Sequence, residues 1–205
     1  MNLKFVVAIG YSEGGLDPLL TLFDHVPHDQ ATYVILRHIP MDQRSVLAQV
    51  LKRHSKLVIM EVENGMAIEN DIIYIPPSHS YITIKNNKLN LHARVLEPRN
   101  QNDTINIFLK SLALSKGEKS IAVILSGNGT DGATGAVSIY EAGGVVIVQK
   151  PETCSYPAMP QNVIDTACVH EILLPSEMPD FITKRVHPIL KNANKMKRLK
   201  HNSHD

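Results

Sequence analysis

The chain alternates short apolar runs with longer segments that carry apolar residues at helical spacing. Runs rich in Val, Ile and Leu, bounded by Gly, Pro, Asn or charged residues, predict buried strands. These runs lie at residues 5–9, 32–36, 57–60, 72–75, 121–125, 145–148 and 169–173. Strands that are apolar on both faces are typical of a parallel sheet covered by helices on each side.

Helices are predicted between these strands. Apolar positions three and four residues apart indicate them at residues 16–23, 41–54, 103–115, 133–142, 160–167 and 177–186. In the first helix, Asp17 before Pro18 predicts an N-cap followed by a first-turn proline. In the second helix, four apolar residues form the predicted inner face: Val46, Leu47, Val50 and Leu51.

A hairpin interrupts this alternation. Residues 81–84 and 89–92 alternate apolar and polar positions, and Asn86-Asn87 between them favours a tight turn. The predicted fold class is therefore α/β: a doubly wound, mainly parallel sheet with an inserted antiparallel hairpin. One domain is expected over residues 1–187, and residues 188–205 form a basic, polar C-terminal tail.

Composition excludes several functions. Apolar residues make up 43% of the 205-residue chain, and a net charge of +1 gives no global attraction to nucleic acid or anionic membranes. The sequence has no Trp and no apolar run near the ~20 residues of a membrane span. Met1-Asn-Leu-Lys leads straight into the first strand and leaves no room for a targeting peptide, so we expect a cytoplasmic protein with reduced Cys154 and Cys168. Neither cysteine has metal-ligand spacing, and no metal or cofactor is implied.

Candidate chemistry begins in the loop after the first strand. Gly10-Tyr11-Ser12-Glu13-Gly14 has the G-x-S-x-G pattern of a nucleophile elbow, in which a serine stands on a sharp strand-to-helix turn. A glycine-rich turn in this place is also compatible with a phosphate cradle or a structural turn.

Two further strands end in residues that could serve this serine. His38 follows the second strand, and Asp131 follows the strand at 121–125. The carboxyl ends of parallel strands meet at one sheet edge, so we expect the three side chains to lie close together. Ser12, His38 and Asp131 then match an acyl-transfer triad of nucleophile, general base and orienting carboxylate.

Each candidate has an alternative role. His79, after Pro76-Pro77, is a rival base. Asp131 could cap the helix that follows it. The glycines around Asp131 could form a phosphate-binding nest instead: Gly127, Gly129, Gly132 and Gly135.

Over about residues 6–174, the chain resembles the catalytic domain of chemotaxis protein-glutamate methylesterases, the CheB family. The stretches that carry the resemblance are residues 8–15, 36–40, 70–77, 126–133, 141–144 and 159–160. The resemblance implies hydrolysis of glutamate γ-methyl esters on chemoreceptor signalling helices, sometimes with glutamine deamidation, and it makes residues 1–187 a methylesterase-like catalytic domain. The family's triad falls on Ser12, His38 and Asp131.

The backbone N–H groups of Glu13 and Asn128 are the expected oxyanion donors. Several positions depart from the family pattern. Glu13 replaces the usual Thr, Arg37 a Gln, Asn128 a Met, Asn106 an Asp and Ala158 a Gly. The carboxylate of Glu13 would oppose a developing oxyanion unless it points away or pairs with Arg37.

Other hypotheses remain open at the level of sequence. One is a nucleotide-binding regulatory domain that uses Gly10 to Gly15, and another is a catalytically degenerate module that docks on receptors. The receiver domain that often precedes this catalytic domain has no room here, so a receiver domain or kinase could act in trans or within a longer parent chain.

Overall fold

The computed structural model describes residues 4–38, 46–94 and 103–187. It contains a seven-stranded sheet and a three-stranded sheet. The strands are β1 (Val6–Tyr11), β2 (Thr32–Arg37), β3 (Val58–Glu61), β4 (Met66–Ala67), β5 (Ile72–Ile75), β6 (Ser80–Lys85), β7 (Lys88–Ala93), β8 (Ser120–Ile124), β9 (Val145–Gln149) and β10 (Glu171–Leu173). The helices are α1 (Leu16–Phe23), α2 (Leu47–Leu51), α3 (Thr104–Lys116), α4 (Ala133–Glu141), α5 (Ala158–Ile164) and α6 (Met178–Val186).

The large sheet is parallel throughout, with strand order β10-β9-β8-β1-β2-β5-β3. The central strand β1 pairs with β2 on one side and with β8 on the other. The chain first builds the β2 side and then crosses to build the β8 side. This reversal creates a topological switch point at the carboxyl edge of β1, where ligands of such sheets bind. The α/β prediction with a doubly wound, mainly parallel sheet is confirmed.

Two cores cover the two faces of the sheet. Alternate residues of β1 show this directly, since Val6 and Ala8 belong to one core and Val7 and Ile9 to the other. The first core also takes apolar side chains from α3, α4, α5 and the hairpin, and the second from α1, α2 and α6. Because both faces are buried, the strands are apolar at successive positions rather than at every second one.

The predicted hairpin is confirmed. β6 and β7 pair antiparallel, and Asn86 and Asn87 between them have φ angles of 52° and 60°. Positive φ at both central residues is the requirement of a type I′ turn, which Asn tolerates well. The two-residue strand β4 extends the pair into a three-stranded sheet, and it is too short to show an apolar pattern.

Two details of the helix predictions were wrong. Asp17 does not cap α1, because the helix already begins at Leu16, with Gly15 at the N-cap position and no capping side chain. Val46 is 64% exposed rather than on an inner face, because it precedes the first residue of α2. The part of the predicted helix at residues 41–45 lies outside the described residues. None of the described helices is long and apolar enough to cross a bilayer.

The backbone of Ala167, just after α5, is strained, and a substitution can test this. Its φ is 58°, and this left-handed conformation costs a residue with a Cβ about 1–2 kcal/mol. We expect Ala167→Gly to raise the free energy of unfolding by about 0.5 kcal/mol or more, and the melting temperature by roughly 1–3 °C. Ala142→Gly is the matched control, since Ala142 ends α4 with φ −78° and has no strain to relieve. Equal losses of melting temperature in both variants would contradict the prediction.

Candidate active site

Three loops at the carboxyl edge of the sheet carry the predicted site residues. Ser12 follows β1, His38 follows β2, and Asp131 lies between β8 and α4. The first and third loops are joined directly, because the Ser12 N–H donates to the Ser126 carbonyl at 3.0 Å. The Ser126 hydroxyl also donates to the Glu13 carbonyl at 2.9 Å. These bonds set the position of the serine backbone relative to the Asp131 loop.

Glycines permit this close approach. A Cβ on Gly127 would lie 2.9 Å from the Cβ of Ser12 and would overlap the sulfur of Met159. A Cβ on Gly15 would lie 2.8 Å from the Ser126 carbonyl oxygen. All of these contacts are too close for a side chain, so these glycines are needed for packing between loops. This packing accounts for Gly15 and Gly127 without a bound phosphate.

His38 and Asp131 are brought together. The Nε2 atom of His38 lies 2.7 Å from Oδ2 of Asp131, whose side chain is only 5% exposed. This hydrogen bond assigns the ring proton to Nε2 and leaves Nδ1 of His38 as the proton acceptor.

Asp131 also binds the first turn of α3. Its Oδ2 accepts the N–H of Ile105 at 2.9 Å, and its Oδ1 accepts the N–H of Asn106 at 2.8 Å. Helix N-termini have unpaired N–H groups that favour an anionic partner. Asp131 therefore caps α3 from a distance and makes no capping bond to the helix that follows it, α4. The alternative that Asp131 caps the helix after it was wrong.

Asn106, in the first turn of α3, caps the start of α4 in the same way. Its Oδ1 accepts the N–H groups of Gly132 at 3.0 Å and Gly135 at 2.8 Å, and its side chain is buried. The N-termini of α3 and α4 are thus each satisfied by a residue of the other segment. From the sequence, Asn106 is identified only as a departure from the family pattern. The sequence offers one indication of this capping role: an amide side chain in the first turn of one predicted helix, and a glycine-rich start of another.

The Glu13 side chain accepts hydrogen bonds at the position of the nucleophile. The Ser12 hydroxyl donates to Oε2 of Glu13 at 2.7 Å, and the Asn128 N–H approaches the same oxygen at 3.3 Å. Within residues 4–38, 46–94 and 103–187, no hydrogen bond joins Ser12 to His38. The pKa of Glu13 is lowered, chiefly by the Ser12 hydroxyl and then by its own backbone N–H, with smaller contributions from Asn128 and His38. Burial opposes this lowering of the pKa, by less than the first two causes and by more than Asn128 or His38.

Arg37 does not pair with Glu13 in the described part of the chain. Its guanidinium lies at Tyr11, whose pKa is raised by burial and partly lowered again by Arg37. His79, the rival base, is exposed between β5 and β6, and among the described residues it has no hydrogen bond to Ser12. No group of three or more His, Cys, Asp and Glu residues able to hold a metal ion occurs in the described ranges.

A family model for the CheB methylesterase matches residues 7–182. The chain belongs to the CheB methylesterase family. It is similar to the crystal structure of the Thermotoga maritima CheB methylesterase catalytic domain, with a TM-score of 0.78 and 29% identity, over 88% of this chain and 98% of that one. The resemblance stated from the sequence motifs is confirmed.

Curated relatives carry the same family's names. A protein-glutamate methylesterase/protein-glutamine glutaminase 2 of Xanthomonas oryzae pv. oryzae is 28% identical over 171 residues, which are 82% of this chain and 48% of that protein. A protein-glutamate methylesterase/protein-glutamine glutaminase of Methanococcus maripaludis is 26% identical over 182 residues, 87% of this chain and 50% of that protein. The chain therefore spans about half the length of these relatives.

The double role of Asn106 predicts a cost in stability. Asn106→Ala removes the acceptor of two buried N–H groups, so we expect the free energy of unfolding to fall by about 2 kcal/mol or more in urea titration. Asn106→Asp keeps an acceptor and should retain much of that stability. Asn162→Ala is the control, because Asn162 donates one exposed bond to Gly129 and should cost less than about 1 kcal/mol. Similar losses for the two alanine variants would refute the capping role.

Proposed function

We propose that the chain hydrolyses glutamate γ-methyl esters on chemoreceptors, with Ser12 as nucleophile, His38 as general base and Asp131 as the carboxylate that orients it. The observation that carries the proposal is the 2.7 Å bond between His38 and buried Asp131, at the sheet edge where Ser12 stands on its elbow. The family match and the names of the curated relatives support the same reaction.

In this mechanism Ser12 attacks the ester carbonyl while Nδ1 of His38 takes its proton. Asp131 stabilises the imidazolium that forms, and two N–H groups at the start of α3 hold Asp131 in place. Methanol leaves with the proton returned by His38. A water molecule activated by the same ring then releases the glutamate carboxylate. The same steps with ammonia as leaving group would deamidate glutamine.

The developing oxyanion would be bound by the backbone N–H groups of Glu13 and Asn128. Such preorganised donors lower the barrier because they cost no reorganisation when the charge forms. Both donors now face the Glu13 carboxylate, so this side chain has to leave before the substrate can use them.

The partner in this proposal is a methylated chemoreceptor signalling helix. Leu16 and Tyr156 are each 42% exposed and lie beside the elbow loop, where they offer apolar contact to a helix. Control by a receiver domain or kinase, and a cytoplasmic location, remain predictions from the sequence.

The contacts of the elbow loop bear on two other hypotheses, nucleotide binding and receptor docking without catalysis. A nucleotide phosphate at residues 10–15 is disfavoured, because Glu13 puts negative charge there and Ser155 and Tyr156 crowd Gly14. A catalytically degenerate docking module is favoured by one observation, the Ser12 proton that points to Glu13 rather than His38. Loss of activity in Ser12→Ala separates turnover from docking alone.

The proposal is tested by methanol release from methyl-labelled receptor. Ser12→Ala should reduce the rate to background, and Asp131→Asn should lower it by about 10³–10⁴-fold, because His38 loses the partner that sets its tautomer. Circular dichroism must show that the Asp131→Asn variant is folded at the assay temperature. Asp17→Asn alters an exposed carboxylate in α1 and should leave the rate unchanged. A parent protein that releases no more methanol than Ser12→Ala contradicts the proposal.

A further inference from the structure

The Glu13 carboxylate occupies the position that a substrate carbonyl needs. One of its oxygens, Oε2, accepts the Ser12 hydroxyl at 2.7 Å and the Asn128 N–H at 3.3 Å. The backbone N–H of Glu13 also acts on this carboxylate and lowers its pKa. These three groups are the nucleophile and both expected oxyanion donors. One carboxylate therefore engages every group that would contact the reacting carbonyl.

The group in this position, a glutamate carboxylate, has the same chemistry as the product of the proposed reaction. A glutamate side chain ends in a γ-carboxylate, which is the same group that hydrolysis of a glutamate γ-methyl ester releases. A carboxylate between two N–H donors also carries negative charge where the tetrahedral intermediate would develop it. The contacts of Glu13 are thus those expected for bound product.

We infer that Glu13 is an internal mimic of the reaction product, which competes with the substrate for Ser12 and the oxyanion donors and keeps the site closed until it rotates away. This inference rests on the proposed function. Between turnovers the site is closed, and Glu13 is the side chain that controls access to it.

The contact with Glu13 does not activate Ser12. The pKa of Glu13 lies below its usual value, chiefly because the Ser12 hydroxyl donates to it, and a weaker base takes a hydroxyl proton less readily. The charged or titratable group that faces Glu13 in the described residues is His38, which further favours the ionised carboxylate. The serine proton is held away from the base that should remove it.

Release of Glu13 requires only a side-chain rotation. Glu13 is exposed, and no Lys or Arg forms an ion pair with it in the described part of the chain. The measured reactivity of Ser12 then equals its intrinsic reactivity multiplied by the fraction of molecules in which the site is open. A substrate that binds the same donors must displace the carboxylate, so Glu13 lowers apparent substrate affinity as well.

The first experiment measures the second-order rate of Ser12 labelling by a fluorophosphonate probe. Glu13→Ala and Glu13→Thr remove the carboxylate, and we expect each to label at least about tenfold faster than the parent, as loss of charge-assisted hydrogen bonds to the blocking group implies. Glu141→Ala is the matched control, because Glu141 is exposed at the end of α4 and should leave the rate unchanged. Labelling should require His38 in every background.

The second experiment returns a carboxylate to the vacated position. Acetate should slow the labelling of Glu13→Ala with saturation, and it should affect the parent far less because Glu13 already fills the site. Sodium chloride at equal ionic strength separates this competition from screening. A rapid Glu13→Ala variant that acetate does not slow would overturn the assignment of Glu13 as a product mimic.

The remaining outcomes separate the inference from the proposed function. Equally rapid labelling of parent and Glu13→Ala overturns the inference, while methanol release from methylated receptor by both would uphold the esterase. No labelling of either protein overturns both. Faster labelling of Glu13→Ala, slowed by acetate but without methanol release, supports the internal block and rejects the receptor esterase.

Discussion

The structure of the site depends on one buried exchange of hydrogen bonds between the starts of α3 and α4. Asp131 accepts N–H groups of α3, and Asn106 accepts N–H groups of α4. Each helix start would otherwise bury unpaired donors, so the two segments stabilise one another. The same Asp131 binds His38 at the end of β2, and thus a structural cap also positions the proposed base.

The large-scale geometry follows from the parallel sheet. Central strand β1 lies between β2 and β8, so the loops that carry Ser12, His38 and Asp131 leave the sheet at adjacent positions of one edge. This convergence is predictable from the sequence, because apolar runs on both faces indicate parallel strands and parallel strands align their carboxyl ends. The Asn86-Asn87 turn was predictable for an equally local reason, since Asn tolerates the positive φ that the hairpin requires.

Other features could not be predicted from the sequence, because they depend on contacts between segments that are distant along the chain. The start of α1 at Leu16 follows from the packing of Gly15 against Ser126, which overrides the capping preference of Asp17. The role of Asn106 requires the N-termini of two helices to face each other, which no local pattern encodes. The orientation of Glu13 depends on a side-chain rotation toward Asn128, a residue 115 positions away. The charge of Glu13 and its place next to Ser12 predict a conflict with an oxyanion, but they do not predict where the side chain points.

The position of Glu13 has a general consequence for a site of this kind. Groups arranged to stabilise an oxyanion also bind the carboxylate that the reaction releases, because both present negative oxygen to the same donors. A glutamate fixed next to the nucleophile has a high effective concentration, so even weak affinity of these donors for carboxylate fills the site. Better stabilisation of the transition state would strengthen the block as well. Under the proposed function, a substrate would gain access through contacts away from the reacting carbonyl. A receptor helix on the exposed surface around Leu16 and Tyr156 would supply the free energy that displaces Glu13.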